Sequence, residues 1–364
     1  MAATRHGWND RIAILHGAVA PDAAPDEQDV LVEVETVRKA LAGVGYAPTA
    51  LALTLDLAAA RRRLQRLDPA FVFNLVESLG GESRFCYLAP TLLDSLDLPY
   101  SGSGTEAAFL TSAKPVAKRL LEAAGLPTAP WVEWGREGGK LPDFPGPYIL
   151  KPVSEDASIG IDDGSVVADA RALPALFRRR RAELGGEWFV ERYIEGREFN
   201  LALLAGPHGP ELLPPAEIRF VDYPPEKPRI VSYAAKWQEA SFEYHHTPRN
   251  FVLSPADAPL LERMAEMAKR CWRLFQLHGY ARVDLRVDAD GRIFLLEVNV
   301  NPCISPDAGF AAAAREAGLG LEAVVARILA DPSGAATTRL AAARAGTTAR
   351  RRMRSPIPAR AAAG

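Results

Sequence analysis

Four side chains between Gly279 and Asn301 have the types and spacing to handle phosphate and a hard cation: Arg282, Asp284, Glu297 and Asn299. Val283, Leu285 and Val287 alternate with Arg282, Asp284 and Arg286. After the Asp- and Gly-containing stretch 288–291 the chain alternates again, with Leu296, Val298 and Val300 set against Glu297, Asn299 and Asn301. Strand side chains switch faces at every residue, so the stretch is read as a β-hairpin whose apolar set meets the core and whose polar sets share an open face. Two carboxylates and an amide carbonyl beside a guanidinium are the oxygen donors that Mg²⁺ favours, since it keeps waters and takes its remaining ligands from substrate phosphates. A hairpin with one solvated face shows the same pattern. Asn at 299 and 301, disfavoured in strands, with Pro302 directly after, weighs toward a site.

Two further stretches carry cations. Lys114 and Lys118 are four residues apart, on one face of a helix expected over 115–124; they are solvated lysines or members of a site. An apolar strand delivers Lys151 and then a small-residue loop with Ser158 and Gly160. Such a loop can turn N–H groups and a hydroxyl toward phosphate oxygens, with the lysine as a point charge, or it is a plain surface loop. It is not a Walker A sequence. His245 and His246 are adjacent, and without Cys or a further spaced His they do not make a zinc site.

The elements that must position these residues begin with a βαβαβ rhythm: strands at 11–16, 48–54 and 70–76, helices at 27–42 and 57–67. That order predicts a parallel sheet with crossover helices, Rossmann-like but without a G-x-G-x-x-G fingerprint. Ligands in such sheets lie beyond the carboxyl ends of the strands, where His16, Gly17, Asn74 and Glu77 fall. His16 reads equally as a packed strand end, whereas an acid such as Glu77 straight after a buried strand has few structural reasons to be there. Further on come a helix over 171–183, strands at 188–193, 199–205, 211–220 and 229–233, an aperiodic stretch at 234–249 that could close over a site, a helix from 254 to 277, and short helices at 307–317 and 321–329.

At 364 residues the chain is long enough for two or three domains. Its 43 basic and 45 acidic residues give a net −2, but residues 332–364 hold seven Arg and no acid, leaving the body at −9. An acidic body argues against nucleic acid as the main partner. The tail's Ala/Arg/Thr composition predicts disorder. Three widely spaced Cys indicate neither a disulfide framework nor a zinc site, and fit a reduced, cytoplasmic setting. The apolar run 12–15 is too short for a signal segment, and no stretch is long enough to span a membrane.

In order along the chain, Lys114, Ile-Leu-Lys151-Pro, Val190-Glu191-Arg192-Tyr193-Ile194-Glu195-Gly196-Arg197-Glu198, Arg282-Val-Asp284 and Glu297-Val-Asn299-x-Asn301-Pro302 form one pattern. The chain resembles the ATP-grasp superfamily, and within it the D-alanine–D-alanine ligase-like branch, over most of 10–330. Tyr100-Ser-Gly-Ser-Gly and Lys118-Arg-Leu-Leu also look like that branch. The resemblance implies an α/β, ATP-grasp architecture: a Rossmann-like domain at 1–110, two α+β subdomains at 111–205 and 206–331 that clamp ATP, and the tail at 332–364. It implies that Lys114 and Lys151 hold the ATP phosphates, that Ser158 and Gly160 lie in the phosphate-covering loop, that Glu191 lies in the hinge strand that contacts adenine and that Glu198 binds ribose hydroxyls. Asp284, Glu297 and Asn299 would ligate two Mg²⁺, with Mn²⁺ as a substitute. Arg282 would stabilise an acyl phosphate and tetrahedral intermediate, and Lys236 matches a lid lysine. The implied activity is an ATP-dependent carboxylate–amine ligase acting on small molecules, working as a homodimer.

The departures concern substrate. Glu77-Ser-Leu-Gly-Gly-Glu-Ser83 replaces a His-Gly-x-x-Gly-Glu-Asp-like run, Glu-Asp-Ala-Ser158 replaces Glu-Gly-Ser-Ser, Lys236-Trp237 replaces Lys-Tyr, and Asn301-Pro-Cys303-Ile-Ser-Pro-Asp307 replaces a Gly-Met-Thr run. Glu77 is the candidate for a substrate amine and Lys236 for a carboxylate. The alternative is an ATP-binding protein without catalysis, against which the transition-state arginine Arg282 speaks.

Overall fold

The computed structural model describes residues 10–134 and 139–331. The tail expected to be disordered lies outside the described residues. The first unit is β1 (Arg11–Gly17), α1 (Pro25–Gly43), β2 (Ala47–Leu53), α2 (Leu57–Leu67) and β3 (Phe71–Asn74), followed by α3 (Leu88–Asp94) and α4 (Thr105–Ser112). Its strands pair in parallel in the order β2-β1-β3. Ile12 to Leu15 are fully buried, because helices cover both faces of this sheet. Helix α1 opens with Pro25 and carries Asp26 and Glu27 in its first turn, where the helix dipole favours acids.

The second unit comprises α5 (Lys114–Ala123), β4 (Trp131–Trp134), β5 (Tyr148–Pro152), β6 (Val166–Val167), α6 (Leu173–Leu184) and β7 (Trp188–Arg192), with sheet order β4-β7-β5-β6. Leu173, Leu176 and Phe177 of α6 pack on Trp134, Leu150 and Trp188.

The third unit runs through β8 (Arg197–Gly206), β9 (Gly209–Leu212), β10 (Ala216–Ile218), α7 (Tyr233–Trp237), α8 (Phe242–His246), β11 (Arg249–Asn250), α9 (Ala258–Leu274), β12 (Tyr280–Val287), β13 (Ile293–Asn299), α10 (Gly309–Glu316) and α11 (Leu321–Ala330). Its antiparallel sheet has the order β11-β10-β8-β12-β13, with β9 also on β8. Met264, Ala268 and Cys271 of α9 cover one face against Leu201, Val283 and Leu285. Strand β8, placed before the boundary expected at 205/206, runs in this larger sheet, and Ala117 and Leu121 of α5 pack into its core.

Several expectations are corrected. The strand expected at 211–220 is two short strands, β9 and β10, because Pro214 and Pro215 intervene and lack the N–H a ladder needs. No strand forms at 229–233. The chain there leads to Ser232, whose hydroxyl accepts from Ala235 N at the start of α7. The aperiodic stretch 234–249 holds the short helix α8, capped in the same way by Ser241. In the hairpin, Asp284 stands opposite Glu297 but Leu285 stands opposite Leu295, so a bulge leaves Leu296 extra. The core therefore takes Ile293, Leu295 and Val298, and Leu296 turns to the cavity instead. Nor is the polar face open: Asp284 is 5% and Arg286 4% exposed.

Candidate active site

The three units meet around one cavity of about 1150 Å³. Its floor is the polar face of β12 and β13. Arg282 grips Asp284 with two parallel bonds, Nε to Oδ1 and Nη2 to Oδ2, both 2.8 Å. Asn200, opposite Asp284 on β8, donates to the same Oδ1 at 2.8 Å. Asn299 donates its amide nitrogen to Asp284 Oδ2 and Glu297 Oε1, each at 3.2 Å. Burial pushes the Asp284 carboxyl up to about 6 against the pull of Arg282. At Glu297 burial is outweighed by Lys114, Lys236 and Arg282, which hold it low.

Asp284 is buried and Glu297, opposite it, half-buried, and two carboxylates set face to face are eased by a cation between them. All the donors there are oxygens, so the set fits Mg²⁺ rather than a softer metal. Asp284 and Glu297 would hold it. Asn299 would join only by turning its amide oxygen inward, and the two amide ends have nearly the same shape.

Above the floor, Lys114 Nζ donates to the Glu155 carbonyl at 2.6 Å and lies 3.2 Å from Asp156 Oδ1 and 3.9 Å from Glu297 Oε2. Lys151, on β5, pairs with Glu191 on β7. Glu191 does not reach out to a ligand with a free carboxylate: its other oxygen takes Lys118 at 2.7 Å. Lys118 is 1% exposed, so the solvated reading of this lysine is overturned. Glu198 lines the cavity and accepts from Arg286 Nε at 3.1 Å and Nη2 at 2.8 Å. Arg286 shares the polar face of β12 with Arg282 and Asp284, and that alternation was the signal for it. For Asn200 the sequence carries no signal, since only strand pairing brings it to Asp284.

Ser158 has a left-handed backbone (φ 62°) following Ala157 (φ 55°). Its hydroxyl donates to the Val231 carbonyl at 2.8 Å. Tyr233 N donates to the Ile161 carbonyl at 3.0 Å, and Trp237 Nε1 to the Ala157 carbonyl at 3.0 Å. The segment 231–237 thus lies docked on the loop 157–161. This brings Lys236 into the cavity, where burial and Arg282 lower its ammonium pKa. Tyr233 Oη also donates to Asp26 Oδ1 of α1 at 2.6 Å, tying the segment to the first unit.

The first unit supplies an acidic wall. Glu77 stands exposed to the cavity, where desolvation by the enclosing units, Asp156 and Asp29 lift its carboxyl to about 7 against Arg282 and Lys236. Gly17 lines the cavity too, with no room for a side chain: a Cβ would fall 2.8 Å from the Ser78 carbonyl oxygen. His16 is not brought to the main cavity; it is a buried strand end whose Nδ1 lies 2.8 Å from the Gly17 carbonyl. Asn74 accepts from Val76 N and borders a second, small cavity of about 60 Å³. The loop after β13 is held to α1: Ile304 N donates to Glu33 Oε1 at 2.8 Å, and Cys303 Sγ lies 3.1 Å from Asp29 Oδ2. His246 stacks on Phe242 at 3.9 Å. Among the described residues neither it nor His245 belongs to a metal-ligating cluster.

Lysines over an acidic, oxygen-rich floor with a fixed guanidinium can neutralise charge on a transferring phosphoryl group. A family profile described as D-ala D-ala ligase C-terminus matches residues 120–330, more than half of the chain. Among curated relatives, the chain is 31% identical over 258 residues to "Uncharacterized protein y4sG" of Sinorhizobium fredii, covering 71% of this chain and 73% of that one. It is 29% identical over 325 residues to a D-alanine–D-alanine ligase of Synechococcus, covering 88% and 93%. The crystal structure of a Bacillus anthracis D-alanine–D-alanine ligase complexed with ATP matches with a TM-score of 0.66 and 22% identity, over 88% of this chain and 96% of that one, a likeness of fold. The chain belongs to the D-alanine–D-alanine ligase family and has its ATP-grasp fold.

Proposed function

We propose that this protein is an ATP-dependent ligase that joins a carboxylate to an amine through an acyl phosphate. The observation that carries the reading is the meeting, in one cavity, of Lys114 and Lys151, the opposed pair Asp284 and Glu297, and the guanidinium of Arg282. Lys114 and Lys151 bind the ATP phosphates, under the loop that holds Ser158 and Gly160. Glu198 binds ribose. Glu191 acts through Lys151, with which it pairs. Asp284, Glu297 and Asn299 would hold two Mg²⁺, which would supply positive charge to offset that of the nucleotide phosphates. Arg282, kept in place by Asp284, faces the oxygens on which negative charge develops after the carboxylate attacks. Glu77 binds the substrate amine, and Lys236 the carboxylate. No protein nucleophile is required.

Units at 1–110, 111–205 and 206–331 are the proposed domains, with the strand 197–206 lent to the third. Free thiols at Cys86, Cys271 and Cys303 suit a reducing, cytoplasmic setting. Among the described residues no helix is long and apolar enough to cross a membrane. A homodimer is the proposed assembly, to be read by light scattering.

The test is phosphate release from Mg·ATP with amino acids offered singly and in pairs, D-alanine included. Release that requires one particular pair, with an amide product by mass spectrometry, is the expected result. ATP binding without release for any pair would favour a protein that binds ATP without ligating.

A further inference from the structure

The innermost member of the chain Lys151–Glu191–Lys118 has no part in the roles above. Lys118 points inward from α5. Its Nζ lies 2.7 Å from Glu191 Oε2 and also donates to Thr128 Oγ1. Thr128 Oγ1 in turn donates to the Leu295 carbonyl on β13 at 2.9 Å. The side chains of Lys118 and Glu191 are each 2% exposed, whereas that of Lys151 is 19% exposed and borders the cavity. One buried carboxylate therefore serves two ammonium groups, one on each oxygen.

Burial alone would raise the Glu191 carboxyl, but Lys118 and Lys151 outweigh it and bring it down to about 2, so the carboxylate stays charged. At Lys118 burial is the largest influence and lowers its ammonium, with Glu191 the main group opposing it. A lysine whose only task was to fill space here would be a poor choice. A methionine of similar length fills the same volume without the desolvation of a charge. The arrangement makes sense as charge management: two cations and one anion leave one net positive charge, and only Lys151 can present it to the cavity.

We propose that Lys118 is a positioning residue for nucleotide binding: by neutralising Glu191 from behind, it leaves the charge of Lys151 available to the nucleotide phosphates. Without Lys118, Lys151 is the one cation paired with Glu191 among the described residues, and the triad offers the cavity no net charge. The inference rests on the reading of the protein as ATP-dependent, and its test reads ATP affinity directly rather than ligation.

The dissociation constant of ATP is measured by titration calorimetry for the full-length wild type, Lys118→Met, Lys118→Arg and the double variant Lys118→Met/Glu191→Gln. The net charge of the triad is then +1, 0, +1 and +1. The expected result is binding weakened at least about tenfold in Lys118→Met, kept within about threefold in Lys118→Arg, and at least about threefold tighter in the double variant than in Lys118→Met. A purely structural lysine predicts the opposite for the double variant, which loses a second native group and should bind no better than the single one. Wild-type-like binding by Lys118→Met, or a folded double variant as weak as Lys118→Met, overturns the proposal. Should Lys118→Met not fold, the double variant decides alone, because it holds no buried pair to leave unbalanced; a loss beyond tenfold there overturns the proposal. Absence of ATP binding by the wild type would instead overturn the ATP-dependent reading itself.

Discussion

Arg282 and Asp284 sit two residues apart on one strand, so they share a face, and their double hydrogen bond fixes the guanidinium plane. Lysine in place of Arg282 keeps the charge but loses the planar fork. Arg282→Lys should lower kcat by about 10²-fold, with little change in the KM for ATP, as expected of a group that acts on developing charge; a raised KM with kcat unchanged in steady-state kinetics would place Arg282 in ground-state binding instead. Glu77 carries a second residue-scale prediction. Its carboxyl rises from an ordinary 4.5 to about 7 in the fold. An acid whose pKa is raised by folding adds stability fully only below its unfolded value, and that contribution fades as the pH climbs through the folded one. Glu77→Gln cannot ionise. Its Tm should therefore gain on wild type between pH 4.5 and pH 7 and level off above, which thermal melts across that range would check; a constant difference would contradict the shift.

At the scale of elements, the bulge in the hairpin and the docking of 231–237 on 157–161 decide what the cavity contains. The bulge turns Leu296 to the same side as Glu297, giving the cavity an apolar patch beside its acids. The loop 157–161 depends on backbone conformations that β-carbons resist. Gly160 has φ +75°, and a Cβ there would meet the Trp188 ring at 2.9 Å and Leu184 at 3.0 Å. Gly160→Ala should cost about 2 kcal/mol in urea unfolding, from the left-handed backbone and the crowding together, and should raise the KM for ATP. An unchanged midpoint would mean that the loop can be rebuilt without strain. The alternation of residues 280–287 was fully readable in the sequence, because it depends on period alone. The one-residue shift on the return strand was not, because a bulge is set by the fit of the core and not by the pattern of the strand that carries it.

The molecule as a whole places its chemistry between units. The first unit contributes Glu77 and the anchors Asp29 and Glu33; the second contributes Lys151 and Glu191; the third contributes the floor and Lys236. The first unit is joined to the third through a shared apolar core, in which Ile12, Val37 and Phe73 pack with Leu204, Phe310 and Val324, and by the Tyr233–Asp26 bond and the Glu33 bond to Ile304 N. The site residues named above lie between 17 and 309, and the last helix of the core ends at Ala330. Removal of residues 332–364 should accordingly leave kcat/KM within about twofold, measured on the reaction identified by the substrate panel; a larger loss would give the tail a part in the site. What the sequence determined by itself is what short-range order determines: the parallel first sheet, the hairpin and its polar face, and, through the spacing of Lys114, Lys151, Glu198, Arg282, Asp284 and Glu297, the family. Tertiary structure alone decided which partners those groups have. Lys118 reads as a surface lysine until α5 packs its face against Glu191, Asn200 has no role until β8 pairs with β12, and the polar face of the hairpin looks solvated until the other two units close over it. Burial and charge pairing are properties of elements brought together from distant parts of the chain, and no local pattern of residue types encodes them.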